Sequence, residues 1–227
     1  WISEMYGYSF GAAEAGVERA KRPPHVAAPA RPLVYLCPTG VVELTACVRT
    51  GEGALLLGCA ASLTEVSETC AKAALADGQA RLPAGGSVGG GAAAIRDMLR
   101  WFASTQVRNA ACIGGNLVTA SPISDLNPIL CASGATLSIA SAARGRRQIA
   151  ATDFFRSYRK VDLADDEVVL SVTMPPRRPY EFVLPFKQAR RREDDISIVT
   201  GAIRLLLAPS DSEWKVADAS LAFGGVA

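Results

Sequence analysis

Short apolar runs bounded by turn residues mark the first predicted elements. Pro32-Leu-Val-Tyr-Leu-Cys37 and Ala54-Leu-Leu-Leu-Gly-Cys-Ala60 suit buried strands. Ser62-Leu-Thr-Glu65 has the capping-box spacing, and the helix it opens runs to Gly78, a good C-terminal stop. Gly78 to Gly91 contains Gly85-Gly-Ser-Val-Gly-Gly-Gly91 and reads as a flexible surface loop. It fits neither the dinucleotide fingerprint G-x-G-x-x-G nor a phosphate loop ending in Gly-Lys-Ser/Thr. Ala92 to Ser104 reads as a helix with Ile95, Met98, Leu99 and Phe102 on one face. The segment Ser121–Pro128 opens a short helix that stops at Gly134. Ala135–Ser141 and Arg146–Ala150 pair as a hairpin across Arg144-Gly145. Glu167–Met174 is a strand halted by Pro175-Pro176, because proline removes a ladder donor. Strand-like runs at Glu181–Gln188 and Trp214–Phe223 follow, with Ile196–Leu207 of open type. The class is α+β, antiparallel toward the C-terminal end. Residues 1–32 carry no sustained period and form an irregular lead-in, and the proline-rich join at 175–179 marks a subdomain boundary.

Composition narrows the chemistry. The chain has 227 residues, of which 49% are hydrophobic and 20% charged, so it can bury a sizeable core. A formal net charge of +2 gives no basic excess from which to infer nucleic-acid binding. With one histidine, His25, zinc sites built on histidine pairs are excluded, and any Ser-His-Asp or Cys-His system would run through that residue. The six cysteines, at 37, 47, 59, 70, 112 and 131, are scattered without C-x-x-C pairs and read as small buried hydrophobes in a reducing, intracellular compartment. No apolar run reaches the roughly 20 residues of a membrane span, and no signal peptide is recognisable.

Two segments could carry chemistry. Ile113-Gly-Gly-Asn-Leu-Val-Thr-Ala-Ser-Pro-Ile-Ser-Asp-Leu-Asn-Pro128 is the densest polar stretch. Gly114 and Gly115 let backbone N–H groups approach an anion, Asn116, Thr119 and Ser121 add donors, and a helix opening near Pro122 would bring a positive dipole end. Asp125, in that helix's first turn, could accept hydrogen bonds from sugar or ribityl hydroxyls. Residue types alone also allow a tight turn with an ordinary N-cap. The second segment, Phe186-Lys-Gln-Ala-Arg-Arg-Arg-Glu-Asp-Asp195, sets three basic residues against three acidic ones. Alone, it reads as a self-neutralised surface loop, like Arg144-Gly-Arg-Arg147.

An ordered series of motifs resembles the FAD-binding domain of the xanthine dehydrogenase family. It comprises Arg100-Trp-Phe-Ala103, Gln106-Val107, Ile113-Gly-Gly-Asn116, Thr119–Pro128 and Ala132-Ser-Gly-Ala135. Phe154-Phe155, Tyr158-Arg-Lys160, Phe186-Lys-Gln188, Arg191–Ile196 and Phe223-Gly-Gly225 continue it in the same order. The resemblance runs from about Pro32 to the end and is most specific between 100 and 196.

The resemblance implies a vanillyl-alcohol-oxidase/p-cresol-methylhydroxylase (PCMH) type FAD domain over 33–175. The start of a smaller α+β subdomain like the CO dehydrogenase flavoprotein C-terminal domain would occupy 180–227. It implies that electrons from purine hydroxylation at a molybdopterin centre pass through [2Fe-2S] clusters to FAD and on to NAD⁺ or O₂. The iron–sulfur and molybdopterin domains would be its partners, in a homodimeric cytoplasmic or peroxisomal parent. On the matching positions Phe102 would pack against the cofactor, and Cys112 stands where serine is frequent. Gly114, Gly115, Asn116 and Thr119 would line the pyrophosphate, with Ser121 beside them. Asp125 would bind hydroxyls, Val169 would give a backbone contact, and Lys187 would sit near the flavin. Arg191, Arg192, Glu193, Asp194 and Asp195 would form the loop that NAD⁺ approaches. Flavin chemistry needs no histidine base. The family's first pyrophosphate loop, reading like Val-Gly-Asn-Thr-Glu, has no counterpart in residues 1–32. The sequence is therefore expected to be a partial product that retains FAD weakly or not at all. An aldehyde-oxidase-type flavin domain is the rival reading, against which Glu193-Asp-Asp195 argues. A non-catalytic remnant holding no FAD is the reading from another class.

Overall fold

The structure, a computed structural model, describes residues 37–78, 80–81, 87–192, 194–211 and 213–226. The lead-in at 1–32, His25, all but the last residue of the expected strand 32–37, Gly85, Gly86 and Glu193 lie outside these. After a single 3₁₀ turn at Pro38–Gly40, the helices are α1 Val42–Thr45, α2 Leu63–Ala76, α3 Gly91–Leu99, α4 Thr105–Ala110, α5 Ile113–Thr119, α6 Asn127–Ala132 and α7 Ala151–Phe154. The strands are β1 Cys47–Arg49, β2 Leu55–Gly58, β3 Ala80–Arg81, β4 Ser87–Val88, β5 Thr136–Ser141 and β6 Gly145–Ala150, followed by β7 Phe155–Ser157 and β8 Lys160–Val161. Then come β9 Glu167–Met174, β10 Glu181–Ala189, β11 Ser197–Ser210 and β12 Glu213–Gly224.

Two antiparallel sheets organise these elements. The first has the order β1-β2-β9-β5-β6, and the second the order β10-β11-β12. Leu57, Leu137, Ile139 and Val172 from the first sheet pack with Leu63, Val66, Ile95, Leu99, Ile113, Leu117 and Ile129 of the helices in one buried cluster. The capping box forms as spacing predicts: Ser62 Oγ accepts from Glu65 N at 3.2 Å, and Ser62 N donates to Glu65 Oε2 at 2.8 Å. Gly78 ends α2 with φ +72°.

The second sheet seats its inner face on α6, with Val183 and Ala202 buried and Arg204 Nε donating to the Ala132 carbonyl at 3.0 Å. By register, its outer face carries Phe186, Ile203, Leu205, Trp214, Leu221 and Phe223. Phe186, Trp214, Leu221 and Phe223 are each exposed by half or more.

Several expectations need correction. The helix expected over 92–104 stops at Leu99, because Ser104 caps a separate helix, α4, through Val107 N. Ala103 turns the chain between them at φ +42°, so Phe102 packs on the core from that turn. The glycine-rich stretch before α3 is not a free surface loop in its described part. Ser87 and Val88 pair with Ala80 and Arg81, and Gly89 accepts from Val183 N at 2.8 Å. Gly89 and Gly90 are buried. The helix after Pro122 begins only at Asn127, so Asp125 precedes it and does not sit in its first turn. Ile113–Thr119 is itself a helix, and 197–207 belongs to strand β11, with Ile196 just before it. All six cysteines are free thiols, but only Cys59 and Cys70 are buried, and Cys37 is exposed.

Arg147 also leaves the surface-turn reading. Its Nε and Nη2 donate to both oxygens of Glu167 at 2.7 and 2.8 Å, and Nη1 reaches Asp162 at 3.1 Å, tying β6 to β9. This fork holds the Glu167 carboxyl down to about 2 from its ordinary 4.5. A depressed carboxyl stabilises the fold above its unfolded value, and that contribution fades as pH falls from about 4.5 toward 2. Glu167→Gln should therefore lower stability at neutral pH by about 1.5–3 kcal/mol and flatten the acid limb. Unfolding midpoints of both proteins between pH 2 and 7 check this.

Candidate cofactor site

The site is built where the second sheet meets the turn between α5 and α6. Helix α5 starts at Cys112, whose Sγ accepts from Gly115 N at 3.3 Å, while Gly114 N donates to the Cys59 carbonyl at 3.0 Å. Both glycine N–H groups thus have partners within the protein. Burial pushes the Cys112 thiol up, so it stays protonated at neutral pH. Cys112 and Val169 line one small recess with Cys59, Ala60 and Val168. Val169 lies at a β-bulge, where the β5–β9 register shifts between Ser138 and Ile139.

From α5 a chain of hydrogen bonds leads into the turn. Ser124 Oγ donates to Asn116 Oδ1 at 2.7 Å and accepts from Asn127 N at 3.2 Å. Ser121 Oγ accepts weakly from Ile123 N at 3.4 Å, and Thr119 is exposed. Asp125 is buried, and Lys187 Nζ donates to its Oδ2 at 2.8 Å. The side chains of this ion pair are 7% and 10% exposed. Lys187 Nζ also donates to the Trp101 carbonyl at 3.0 Å, and Ser197 Oγ donates to Asp125 Oδ1.

Two clefts flank Trp101. One of about 620 Å³ is lined by Met98, Trp101, Phe186, Lys187, Arg191 and Arg192. The other, of about 370 Å³, includes Arg100, Trp101, Ser104, Arg108 and Asp194. The Arg100 and Arg192 guanidiniums lie 5.2 and 5.0 Å from the Trp101 ring centroid, within cation–π range. In the 191–195 loop, Asp195 accepts from Arg191 N at 2.8 Å, a bond that lowers its carboxyl below the usual carboxylate range. Asp194 is exposed with φ +50°, and Glu193 lies outside the described residues.

Asn116 bonds Ser124, and Lys187 bonds Ser124's chain neighbour Asp125, while Cys112 and Val169 share a separate recess. Thr119 and Asp194 stand at the surface. Sequence reasoning missed Ser124, Ser197, Thr200 and the Trp101 carbonyl. Ser124 could have been found, since a serine two or three residues before a helix start commonly caps backbone N–H groups. The polar inventory also fits a cofactor of hydroxyls and phosphates. Asn127, two residues past Asp125, buries both amide atoms with no partner among the described residues. Buried polar groups left this way are rare and call for a partner.

The family model described as "FAD binding domain in molybdopterin dehydrogenase" matches residues 25–177. The chain belongs to that family. A second model, the CO dehydrogenase flavoprotein C-terminal domain, matches 185–227. Rice xanthine dehydrogenase is 53% identical over 134 residues, covering 59% of this chain and 10% of its own. Mouse xanthine dehydrogenase/oxidase is 43% identical over 197 residues, covering 86% and 14%. The chain therefore spans a tenth to a seventh of these relatives. Among solved structures, carbon monoxide dehydrogenase from Hydrogenophaga pseudoflava shares the fold at TM-score 0.65 and 21% identity, over 82% of this chain and 56% of that one. Quinoline 2-oxidoreductase from Pseudomonas putida 86 matches at TM-score 0.64 and 26% identity, over 83% and 57%. As an FAD binding domain, the chain has no described helix long and apolar enough to cross a membrane.

Proposed function

We propose that this chain is the flavin module of a xanthine dehydrogenase-like molybdenum hydroxylase. In this reading FAD accepts electrons from [2Fe-2S] clusters during purine oxidation at a molybdopterin centre, and NAD⁺ or O₂ takes them away. The division into an FAD domain up to 175 and a second subdomain from 180 belongs to the same proposal. The observation that carries the reading is the buried Lys187–Asp125 pair beside the Asn116–Ser124 bond, at the positions the resemblance assigns to the cofactor.

When bound, FAD supplies the hydride and one-electron chemistry. The chain's own residues bind and orient it. Cys112, Asn116, Thr119 and Ser121 would offer side-chain donors to the phosphates, and Val169 a backbone contact. Phe102 would pack against the cofactor. The carboxylate of Asp125 would accept from cofactor hydroxyls, held in place by Lys187. In the intact protein Asp125→Ala is expected to lower bound FAD and to leave reduction of the molybdenum centre by purine intact. A charged hydrogen-bond partner lost from a buried site costs about 1.5–3 kcal/mol, or roughly 10- to 150-fold in affinity. Equal flavin content in variant and parent would remove Asp125 from the site.

The 191–195 loop is the proposed approach of NAD⁺. A carboxylate there attracts the positively charged nicotinamide ring. Asn tolerates the left-handed backbone of Asp194, so Asp194→Asn deletes the charge and keeps the turn. The variant should reduce NAD⁺ more slowly while transfer to O₂ is kept or increased. Steady-state rates with both acceptors decide it, and an unchanged ratio returns the loop to a solvated surface.

A further inference from the structure

The turn that presents Asp125 is clamped by the second sheet through residues with no assigned role. Thr200 Oγ1 donates to the Ser124 carbonyl at 3.0 Å, and Ser197 Oγ donates to Asp125 Oδ1. All four residues are buried: Ser197 is 5% and Thr200 1% exposed, Ser124 5% and Asp125 6%. The backbone of β12 closes on the same turn. A Cβ on Gly224 would stand 2.5 Å from the Pro122 carbonyl oxygen, and one on Gly225 would stand 3.2 Å from Ile123.

The geometry depends on one irregularity. Residues three apart in a regular strand face opposite sides of the sheet. Here Gln188 pairs with Val199 and Ala189 with Ser197, which leaves Ile198 bulged out and half exposed. The bulge returns Ser197 to the face of Thr200 and of its cross-strand partner Lys187. Three side chains from two strands therefore converge on two consecutive residues, Ser124 and Asp125.

We propose that Ser197 and Thr200 are positioning residues for the cofactor, through which the second sheet fixes the Ser124–Asp125 turn in its binding orientation. This rests on Asp125 being a cofactor ligand. The carboxylate has two oxygens; Lys187 takes one and Ser197 orients the other, so Asp125 is locked about its own side-chain torsions before the cofactor arrives. Losing Ser197 frees that rotation. Thr200 holds the backbone one residue earlier, and its loss lets the turn itself shift.

The test is FAD titration of the flavin-depleted intact protein, followed by quenching of flavin fluorescence, with thermal unfolding of the same depleted samples. Ser197→Ala and Thr200→Val should each raise the FAD dissociation constant at least fivefold, and Ser197→Thr, which keeps the hydroxyl, should restore it to within twofold of the parent. Because Ser197 acts through Asp125, Ser197→Ala added to Asp125→Ala should change affinity by less than twofold. A Ser197→Ala protein that binds FAD like the parent overturns the proposal, as does full additivity with Asp125→Ala. An affinity loss that the threonine does not rescue, and that follows the fall in melting temperature, also overturns it. If Asp125→Ala weakens FAD and Ser197→Ala does not, the positioning role alone falls. If neither changes affinity, the FAD site itself falls with it.

Discussion

Replacing Lys187 with Met should destabilise the protein by about 3–5 kcal/mol, because it strands Asp125 as a buried charge with no counterion. The remaining Ser197 hydroxyl contributes one hydrogen bond, which cannot offset the loss of the ammonium. The arithmetic of ion pairs makes the companion variant informative. Asp125→Asn combined with Lys187→Met removes both charges together, and buried pairs replaced as a unit are frequently neutral in stability. Most of the loss should return in the double variant. Denaturant unfolding of the cofactor-free proteins measures it, with the slope checked for constancy so that a midpoint shift reports stability. A Lys187→Met protein as stable as the parent would mean that solvent reaches the pair, contrary to its burial between β10 and the α5–α6 turn.

The same pair shows what the sequence could and could not disclose. Asp125 was legible as a candidate from its place in Ser121-Pro-Ile-Ser-Asp125, whereas Lys187 was singled out only by the family resemblance, because its segment alone reads as a self-neutralised surface loop. That they touch was not legible, since 62 positions separate them and no local period encodes the crossing of β10 over the turn. The hairpin across Arg144-Gly145 and the strand halted before Pro175 were read closely, because glycine admits the positive φ of a tight turn and proline removes a ladder donor. The helix boundary at Leu99 was misread because the apolar spacing continues to Phe102 through a turn, and packing on the core satisfies Phe102 without helix. Ser197 was invisible for a different reason. Alternation along 197–200 puts it on the outer face, and only the bulge at Ile198 reverses that. In its described part the loop reading of 78–91 failed because glycine content signals conformational freedom, whereas Gly90 and Gly91 sit close to neighbouring side chains: a Cβ on Gly91 would stand 2.4 Å from Met174 and 2.9 Å from the Ser133 hydroxyl.

Gly224 offers the sharpest test of how tightly the second sheet and the cofactor turn are joined. A Cβ there would stand 2.5 Å from the Pro122 carbonyl oxygen and 2.6 Å from Thr200 Oγ1. The first contact sets a Cβ, whose place the Gly224 backbone fixes, against a backbone carbonyl oxygen, so neither side can relieve the clash by a rotamer change. The turn must move away from the sheet, and the Thr200 bond to the Ser124 carbonyl must lengthen with it. Gly224→Ala is therefore expected to cost about 1–3 kcal/mol of stability, the range for overpacking a filled interior. It should also weaken FAD binding tenfold or more, because Asp125 moves with the turn. Gly134→Ala is the matched control. Gly134 has φ +70° but nothing within 4 Å of its added Cβ, so it carries backbone strain of about 1–2 kcal/mol without touching the turn. Its FAD affinity should equal the parent's. Titration of both variants with FAD separates the two effects, and a Gly224→Ala protein with parental affinity would show that the turn binds independently of the sheet behind it.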